Sequence, residues 1–200
     1  YIITLLMKRE IEYRKLSSEL RSDGGRHLSG YCVRFNEPSQ YLGFYEVISP
    51  SAITEETLKK SDIYCLWNHN QDDVLGRSRF GEGNLTLTLD DKGLRYDLDL
   101  LDNQIGDMVL SYVQAGIVRG SSFAFTISDD EGADEWSTDE QGVKHRVINK
   151  IDMLFDCSPC FEPAYLSTEA PSCRSYEKYL ESEKKKQSEI QDLCDEILNL

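Results

Sequence analysis

Two runs of alternating apolar residues on either side of an acidic turn constrain the fold of this 200-residue chain most strongly. In residues 85–89 and 94–100, apolar side chains occupy every second position, and Asp90-Asp91-Lys92-Gly93 stands between the runs. A period of two is typical of a strand with one buried face, and a short polar turn joins antiparallel neighbours. The pattern therefore predicts a β-hairpin and a β-rich domain.

A third alternating segment, residues 118–127, carries the first candidate functional group. In an extended strand, Ser122 shares a face with Gly120 and Ala124, whereas the aromatic residues of the segment share the opposite face with Ser121. We expect the aromatic face to lie in the core. Ser122 is then left on a face of small residues that a substrate backbone can approach.

A serine hydroxyl needs a base before it can attack a carbonyl group. Residues 63–67 predict a short strand that brings His69 to its exit, and this histidine is the candidate base. His27 and His145 lie in polar surroundings, and we expect both to be solvated.

The remaining segments predict two helices, a loop and a strand. A short helix is expected to open at Pro50 and Ser51, and Asp102 is expected to cap a second helix. Residues 129–142, rich in acidic and small side chains, predict an exposed loop, and residues 147–157 predict one continuous strand.

The composition changes to Glu, Lys and Gln from residue 174. We expect residues 174–200 to form an amphipathic helix outside a main domain of residues 8–170, and to serve self-association or docking on a partner. Its apolar stripe consists of Ile190, Leu193, Cys194, Ile197 and Leu198. Residues 1–6 precede Met7, which we expect to be near the natural start.

Charge and hydropathy exclude several classes of partner. The formal net charge of -14 argues against nucleic acid, because phosphate binding needs a basic face. No apolar run is long enough to cross a bilayer, and the first six residues lack the features of a secretory signal. We therefore expect a cytosolic protein with neutral or basic partners.

Six scattered cysteines predict reduced thiols rather than a disulfide framework. Cys157-Ser158-Pro159-Cys160 has the spacing of half a zinc site or of a redox pair, but no second pair follows at metal-site spacing. A thiol or zinc protein is therefore the weakest alternative, and we expect no metal and no cofactor.

Four segments, taken in order, resemble the prohead (capsid maturation) proteases of tailed bacteriophages of the HK97 type. These are serine peptidases similar in fold to the herpesvirus assemblins. The resemblance implies an α+β, β-rich fold: a closed or partly open mixed β-barrel flanked by helices. The matching segments are residues 47–53, residues 66–70 with 75–77, residues 116–125, and residues 156–158 with 163–168.

The resemblance also implies the roles of individual residues. His69 takes the place of the family's histidine, Ser122 that of its serine, and Asp156 that of its acidic residue, which is usually Glu. Asp152 is the fallback third member. His145 is a more distant one, because the herpesvirus relatives use a second histidine.

Oxyanion stabilisation is expected from backbone N–H groups, with support from Arg77 or Arg119. The sequence does not choose between these arginines, and a surface salt bridge is the alternative for each of them.

The predicted function is a serine endopeptidase that cleaves scaffold segments, capsid-protein segments and its own chain inside an assembling procapsid in the host cytoplasm. The alternative is a weakly active or inactive β-barrel assembly module that binds the major capsid protein. We expect a homo-oligomer formed through the C-terminal helix, with no nucleic acid and no membrane as partner.

Overall fold

The computed structural model describes residues 10–17, 20–161 and 174–198, and in the last of these ranges it describes the side chains of residues 179–191. The expected start at Met7 and most of the apolar stripe near the C-terminus lie outside the described residues. The elements are β1 (Glu12–Ser17), β2 (Arg21–Ser22), β3 (His27–Arg34), β4 (Tyr45–Ile48), α1 (Glu55–Lys60), β5 (Asp62–Leu66), a 3₁₀ turn (Trp67–His69), β6 (Val74–Arg79), β7 (Glu82–Gly83), β8 (Leu85–Leu89), β9 (Gly93–Asp99), α2 (Gln104–Gln114), β10 (Gly120–Ile127), β11 (Asp134–Thr138), β12 (Lys144–Ile148), β13 (Ile151–Cys160) and α3 (Arg174–Leu198).

The described strands form three sheets. A six-stranded sheet has the order β1-β10-β13-β5-β6-β7, a four-stranded sheet has the order β2-β3-β9-β8, and a three-stranded sheet has the order β11-β12-β4. The hairpin predicted from the alternating leucines is present as β8 and β9, with Leu85 opposite Leu98 and Leu89 opposite Leu94.

The two larger sheets share one core. Tyr96 of β9 forms a hydrogen bond of 2.9 Å with Ser121 of β10, and Cys32 of β3 contacts Cys157 of β13. The aromatic face of β10 lies in this core, where Phe125 is fully buried. Removing this apolar surface from water stabilises the fold by about 25 cal/mol per Å². Because the apolar side chains of β10 alternate with small ones, their burial fixes which face of the strand lies in the core.

The fold is α+β and β-rich. Among the described residues no ring of paired strands closes, since β1 and β7 lie at the two edges of the six-stranded sheet. The predicted barrel therefore stays a prediction.

Both helix starts differ from the sequence expectation. The first helix begins after Thr54, whose hydroxyl accepts a hydrogen bond from the Thr57 N–H, and not at Pro50. The second begins after Asn103, whose side chain accepts from the Gly106 N–H at 2.8 Å, and not after Asp102. The cap is therefore four positions after Pro50 in the first helix and one position after Asp102 in the second. Its side chain accepts a hydrogen bond from an N–H group that has no partner within the helix.

Two further expectations were wrong. The segment predicted to be a loop contains β11, a mostly exposed strand that exists because it pairs along its length with β12. The segment predicted to be one strand is two, because the Asn149 and Lys150 N–H groups both donate to Ala133 O and turn the chain. As a result, β12 and β13 belong to different sheets.

The chain divides into two compact units, Tyr1–Ala170 and Pro171–Leu200. The second unit contains α3, in which the described Ile190 side chain is exposed. No helix in the described part of the chain is long and apolar enough to cross a membrane.

Candidate active site

The candidate nucleophile lies in the middle of β10. Ser122 pairs with Lys15 of β1 on one side and with Ser158 of β13 on the other. Its side chain points away from the core, whereas Ser121 points into the core and bonds to Tyr96. The alternation of β10 thus distinguishes two adjacent serines that are otherwise alike.

His69 reaches this serine from the turn that follows β5. Asn68 and His69 both adopt left-handed backbone conformations, with φ of 53° and 64°. Such conformations cost roughly 1–2 kcal/mol in a non-glycine residue and often occur at functional sites. They bring His69 Nε2 to 2.7 Å from Ser122 Oγ.

Asp156 completes a row of three groups. It lies on β13 opposite Ala124, and its Oδ2 is 2.6 Å from His69 Nδ1. The aspartate reaches the imidazole although its arm is one methylene shorter than the usual glutamate. An ionised carboxylate only accepts hydrogen bonds, so Nδ1 carries the proton and Nε2 is free to accept one from Ser122. We call Ser122, His69 and Asp156 the serine site.

β1 covers the serine site. Ser122 is fully buried, and its hydroxyl also lies 2.8 Å from Arg14 O, to which it can donate. The Tyr13 ring packs edge-on against His69 with 5.0 Å between centroids. A hydroxyl has one hydrogen and here faces two acceptors. Attack on a carbonyl therefore requires that this hydrogen points to His69 rather than to Arg14.

The two fallback candidates for the third member of the serine site have other partners. Asp152 forms an ion pair of 3.0 Å with Lys60. His145 lies on β12, in another sheet, where its Nε2 is 3.1 Å from Asp139 Oδ2.

The two candidate arginines occupy different surroundings. Arg77 binds Asp62 through two nitrogens and stacks on the Tyr64 ring at 4.6 Å. Arg119 is exposed and directly precedes β10. Its guanidinium lies close to Gly116, where an added Cβ atom would be 3.0 Å from Arg119 Nη2.

The cysteine pair does not form a joint site. Cys157 and Cys160 are three residues apart on one strand, so their side chains face opposite sides. Burial, together with the contact to Cys32, raises the pKa of the Cys157 thiol, which keeps it protonated and a poor ligand or nucleophile. Among the described residues, no group of three His, Cys, Asp or Glu side chains is placed to hold a metal ion.

Sequence reasoning missed a buried group of charges beside the site, which we call the ion cluster: Glu12, Arg14, Glu46, Asp134 and Arg146. Arg146 Nη1 donates to Glu12 at 2.7 Å and to Glu46 at 2.9 Å, while its Nε donates to Asp134 at 2.9 Å. Arg14 Nε donates to Glu46 at 2.6 Å. These charges come from four strands, and no local sequence pattern predicts that they lie together.

The ion cluster perturbs the titration of its members. Burial alone raises the pKa of Glu12, but the hydrogen bonds and charges of Arg146 and Arg14 outweigh it and hold that pKa below its ordinary value. For Arg14, burial lowers the pKa and Glu46 raises it by more. Glu12 and Arg14 therefore stay charged near neutral pH.

Ser158 was also missed. Its hydroxyl donates to Asp156 Oδ1 and accepts from the Leu66 N–H at 2.7 Å. The available signal was weak: a serine two residues after an acidic residue in a strand shares that residue's face.

A hydroxyl, an imidazole and a carboxylate joined in this order are typical of serine hydrolases, in which the imidazole moves the hydroxyl proton. Residues 11–182 match the model of the caudovirus prohead serine protease family. The chain therefore belongs to the caudovirus prohead serine protease family and is a serine peptidase of phage capsid maturation. Proteases of this family act in the assembling capsid.

A solved structure is also similar to this chain, that of the bacteriophage T4 capsid assembly protease, gp21. The TM-score is 0.46 at 11% sequence identity, over 78% of this chain and 99% of the other. No curated protein matches the chain in sequence.

Proposed function

We propose that Ser122 is the nucleophile of this protease, His69 its general base and acid, and Asp156 the group that orients His69. The observation that carries this proposal is the unbroken pair of contacts, 2.7 Å from Ser122 Oγ to His69 Nε2 and 2.6 Å from His69 Nδ1 to Asp156 Oδ2. Both lie within the range in which protons are transferred.

The reaction follows from this order of groups. His69 Nε2 takes the hydroxyl proton as Ser122 Oγ bonds to the scissile carbonyl carbon, and the imidazolium then gives that proton to the leaving amine. A water molecule, deprotonated by His69, then attacks the acyl-enzyme, and the imidazolium returns the proton to Ser122 Oγ as the acyl–oxygen bond breaks. Asp156 holds the tautomer and stabilises the imidazolium.

We assign oxyanion stabilisation to backbone N–H groups with support from Arg119. Arg119 is favoured by its position, since it directly precedes the strand that carries the serine. Loss of an oxyanion donor typically costs 10²- to 10³-fold in turnover. Arg119→Gln should show a loss of this order in the peptidase rate, and Arg77→Gln should not; the reverse result would exchange the two roles.

The proposed substrates are scaffold segments, capsid-protein segments and segments of this chain, cleaved inside the procapsid in the host cytoplasm. The net charge of -14 favours neutral or basic segments as partners. We also propose that the sheets of residues 8–170 form the partly open barrel of the HK97-type and herpesvirus proteases.

Ser122→Ala tests the assignment. Cleavage of co-expressed capsid protein should fall by a factor on the order of 10⁶, because the nucleophile is lost. Thermal melting checks that the domain still folds. The matched control is Ser121→Ala, which removes a buried hydroxyl from the adjacent position. Loss of cleavage in the control but not in Ser122→Ala would move the nucleophile by one residue.

We propose that the C-terminal helix, residues 174–200, joins copies of the protein. Isolated helices are marginal in water, and the exposed Ile190 side chain needs a surface to pack against. Light scattering on a variant that lacks residues 174–200 should show a lower mass than the full chain. A monomer in both cases, with a large loss of thermal stability, would instead indicate a helix folded onto its own domain.

A further inference from the structure

Ser158 is fully buried on β13 and makes two hydrogen bonds whose direction is unambiguous. The Leu66 N–H can only donate, so Ser158 Oγ accepts from it at 2.7 Å. The single hydroxyl hydrogen of Ser158 is then left for Asp156 Oδ1, which accepts it.

This arrangement gives each oxygen of Asp156 one partner. Oδ2 faces His69 Nδ1 at 2.6 Å, and Oδ1 faces Ser158. A carboxylate held at one oxygen alone can rotate about its last bond, and held at both it presents Oδ2 to the imidazole in one orientation.

The second hydrogen bond supports the histidine. Leu66 ends β5 and immediately precedes the turn that carries His69. That turn contains the left-handed Asn68 and His69, whose backbone strain requires support from outside the turn. β5 and β13 share one residue pair, Asp156 with Tyr64, so Ser158 adds a tie between them close to the site.

We propose that Ser158 is a positioning residue of the peptidase: one hydroxyl that holds the Asp156 carboxylate and the base of the His69 turn in register. The proposal rests on the proposed function of the serine site. Ser158, which lies opposite Ser122 on the neighbouring strand, acts through Asp156 and His69.

The chain offers a matched control in Ser61, which follows α1 and also bonds to the backbone of β13. Ser61 is also fully buried, accepts from the Leu154 N–H of β13 at 3.1 Å, and donates to Thr57 O at 2.6 Å. Ser61→Ala therefore removes the same kind of bridging hydroxyl without touching the carboxylate of the serine site.

The experiment compares Ser158→Ala with Ser61→Ala in the full chain. Both should lower Tm by a similar amount, because each leaves a buried N–H without its partner. With a fluorophosphonate probe, the maximal labelling rate of Ser122 should fall about 10- to 100-fold in Ser158→Ala, as expected for loss of alignment. Its half-saturating probe concentration should not change, and Ser61→Ala should label at the wild-type rate.

A spectroscopic measurement separates positioning from turnover. A proton held between an imidazole Nδ1 and a carboxylate resonates far downfield in proton NMR. This resonance should be present in the wild type and in Ser61→Ala, and shifted or lost in Ser158→Ala. If Ser158→Ala does not fold, Ser158→Cys, which keeps a weak donor, should show an intermediate loss of labelling.

Wild-type labelling and an unchanged downfield resonance in Ser158→Ala would overturn the positioning role and leave the proposed function intact. A wild-type protein that does not label at Ser122 would instead contradict the proposed function, while the resonance still reports on Ser158.

Discussion

The serine site and the ion cluster are two buried polar groups on opposite faces of β1, and they have different chemistry. Arg14 belongs to the ion cluster through its guanidinium and to the surroundings of the serine site through its backbone oxygen, 2.8 Å from Ser122 Oγ. One strand thus separates a set of permanent charges from a set of groups that can exchange a proton.

The ion cluster contains only guanidinium and carboxylate groups. Its two guanidinium groups always donate, and each of Glu12 and Glu46 accepts from both. In the serine site, the Ser122–His69 contact joins two groups that can exchange the roles of donor and acceptor, and the carboxylate of Asp156 lies on the other side of the imidazole. The proposed reactivity of the serine site therefore depends on its imidazole, a group that the ion cluster lacks.

The largest effect is expected from Asp156→Asn, which removes the charge and favours the wrong imidazole tautomer. Turnover should fall by about 10⁴-fold, whereas Tm should change little. Asp152→Asn, which breaks the ion pair with Lys60, serves as the control and should retain activity. Equal activity of the two variants would remove Asp156 from the proposed mechanism. The assay is cleavage of co-expressed capsid protein.

The complementary change in the ion cluster is Arg146→Met. It removes one of the two arginine partners of the buried Glu12 and Glu46, so the free energy of unfolding should fall by roughly 3–5 kcal/mol in urea titrations. Arg95→Met removes a half-exposed arginine paired with Asp97, and it should cost at most about 1 kcal/mol. If the two losses were the same, the buried charges would carry no special share of the stability.

The smallest effect concerns pH. Because the pKa of Glu12 is lowered in the folded protein, its contribution to stability is present above the ordinary value of about 4.3 and disappears as the pH falls through the folded value. The difference in free energy of unfolding between the wild type and Glu12→Gln should therefore shrink from pH 7 to about pH 3.

Glu140→Gln, at an exposed position, is the control for general changes in charge. A difference between wild type and Glu12→Gln that stayed constant with pH would contradict the lowered pKa.

Local patterns in the sequence predicted the parts of the fold that depend on periodicity. The β8–β9 hairpin is present because burial of one face imposes a period of two, and the same rule placed Ser121 in the core and Ser122 outside it. The family resemblance identified the peptidase class, which the family match confirms.

Other features depended on pairing between distant segments. The acidic stretch around β11 has little apolar content to announce a strand, and only its pairing with β12 makes it one. The helix starts were misplaced because neighbouring polar residues all resemble caps, and backbone geometry selects one of them.

The sequence by itself determined that this chain forms a β-rich domain with a serine and a histidine on ordered segments, because alternation and turn residues act over a few neighbours. Only the tertiary structure decided which charges meet in the ion cluster, that Asp156 faces His69, and that Ser158 bonds to both Asp156 and the Leu66 N–H. These contacts join residues up to 134 positions apart, and their geometry follows from strand order and register, which no local pattern encodes.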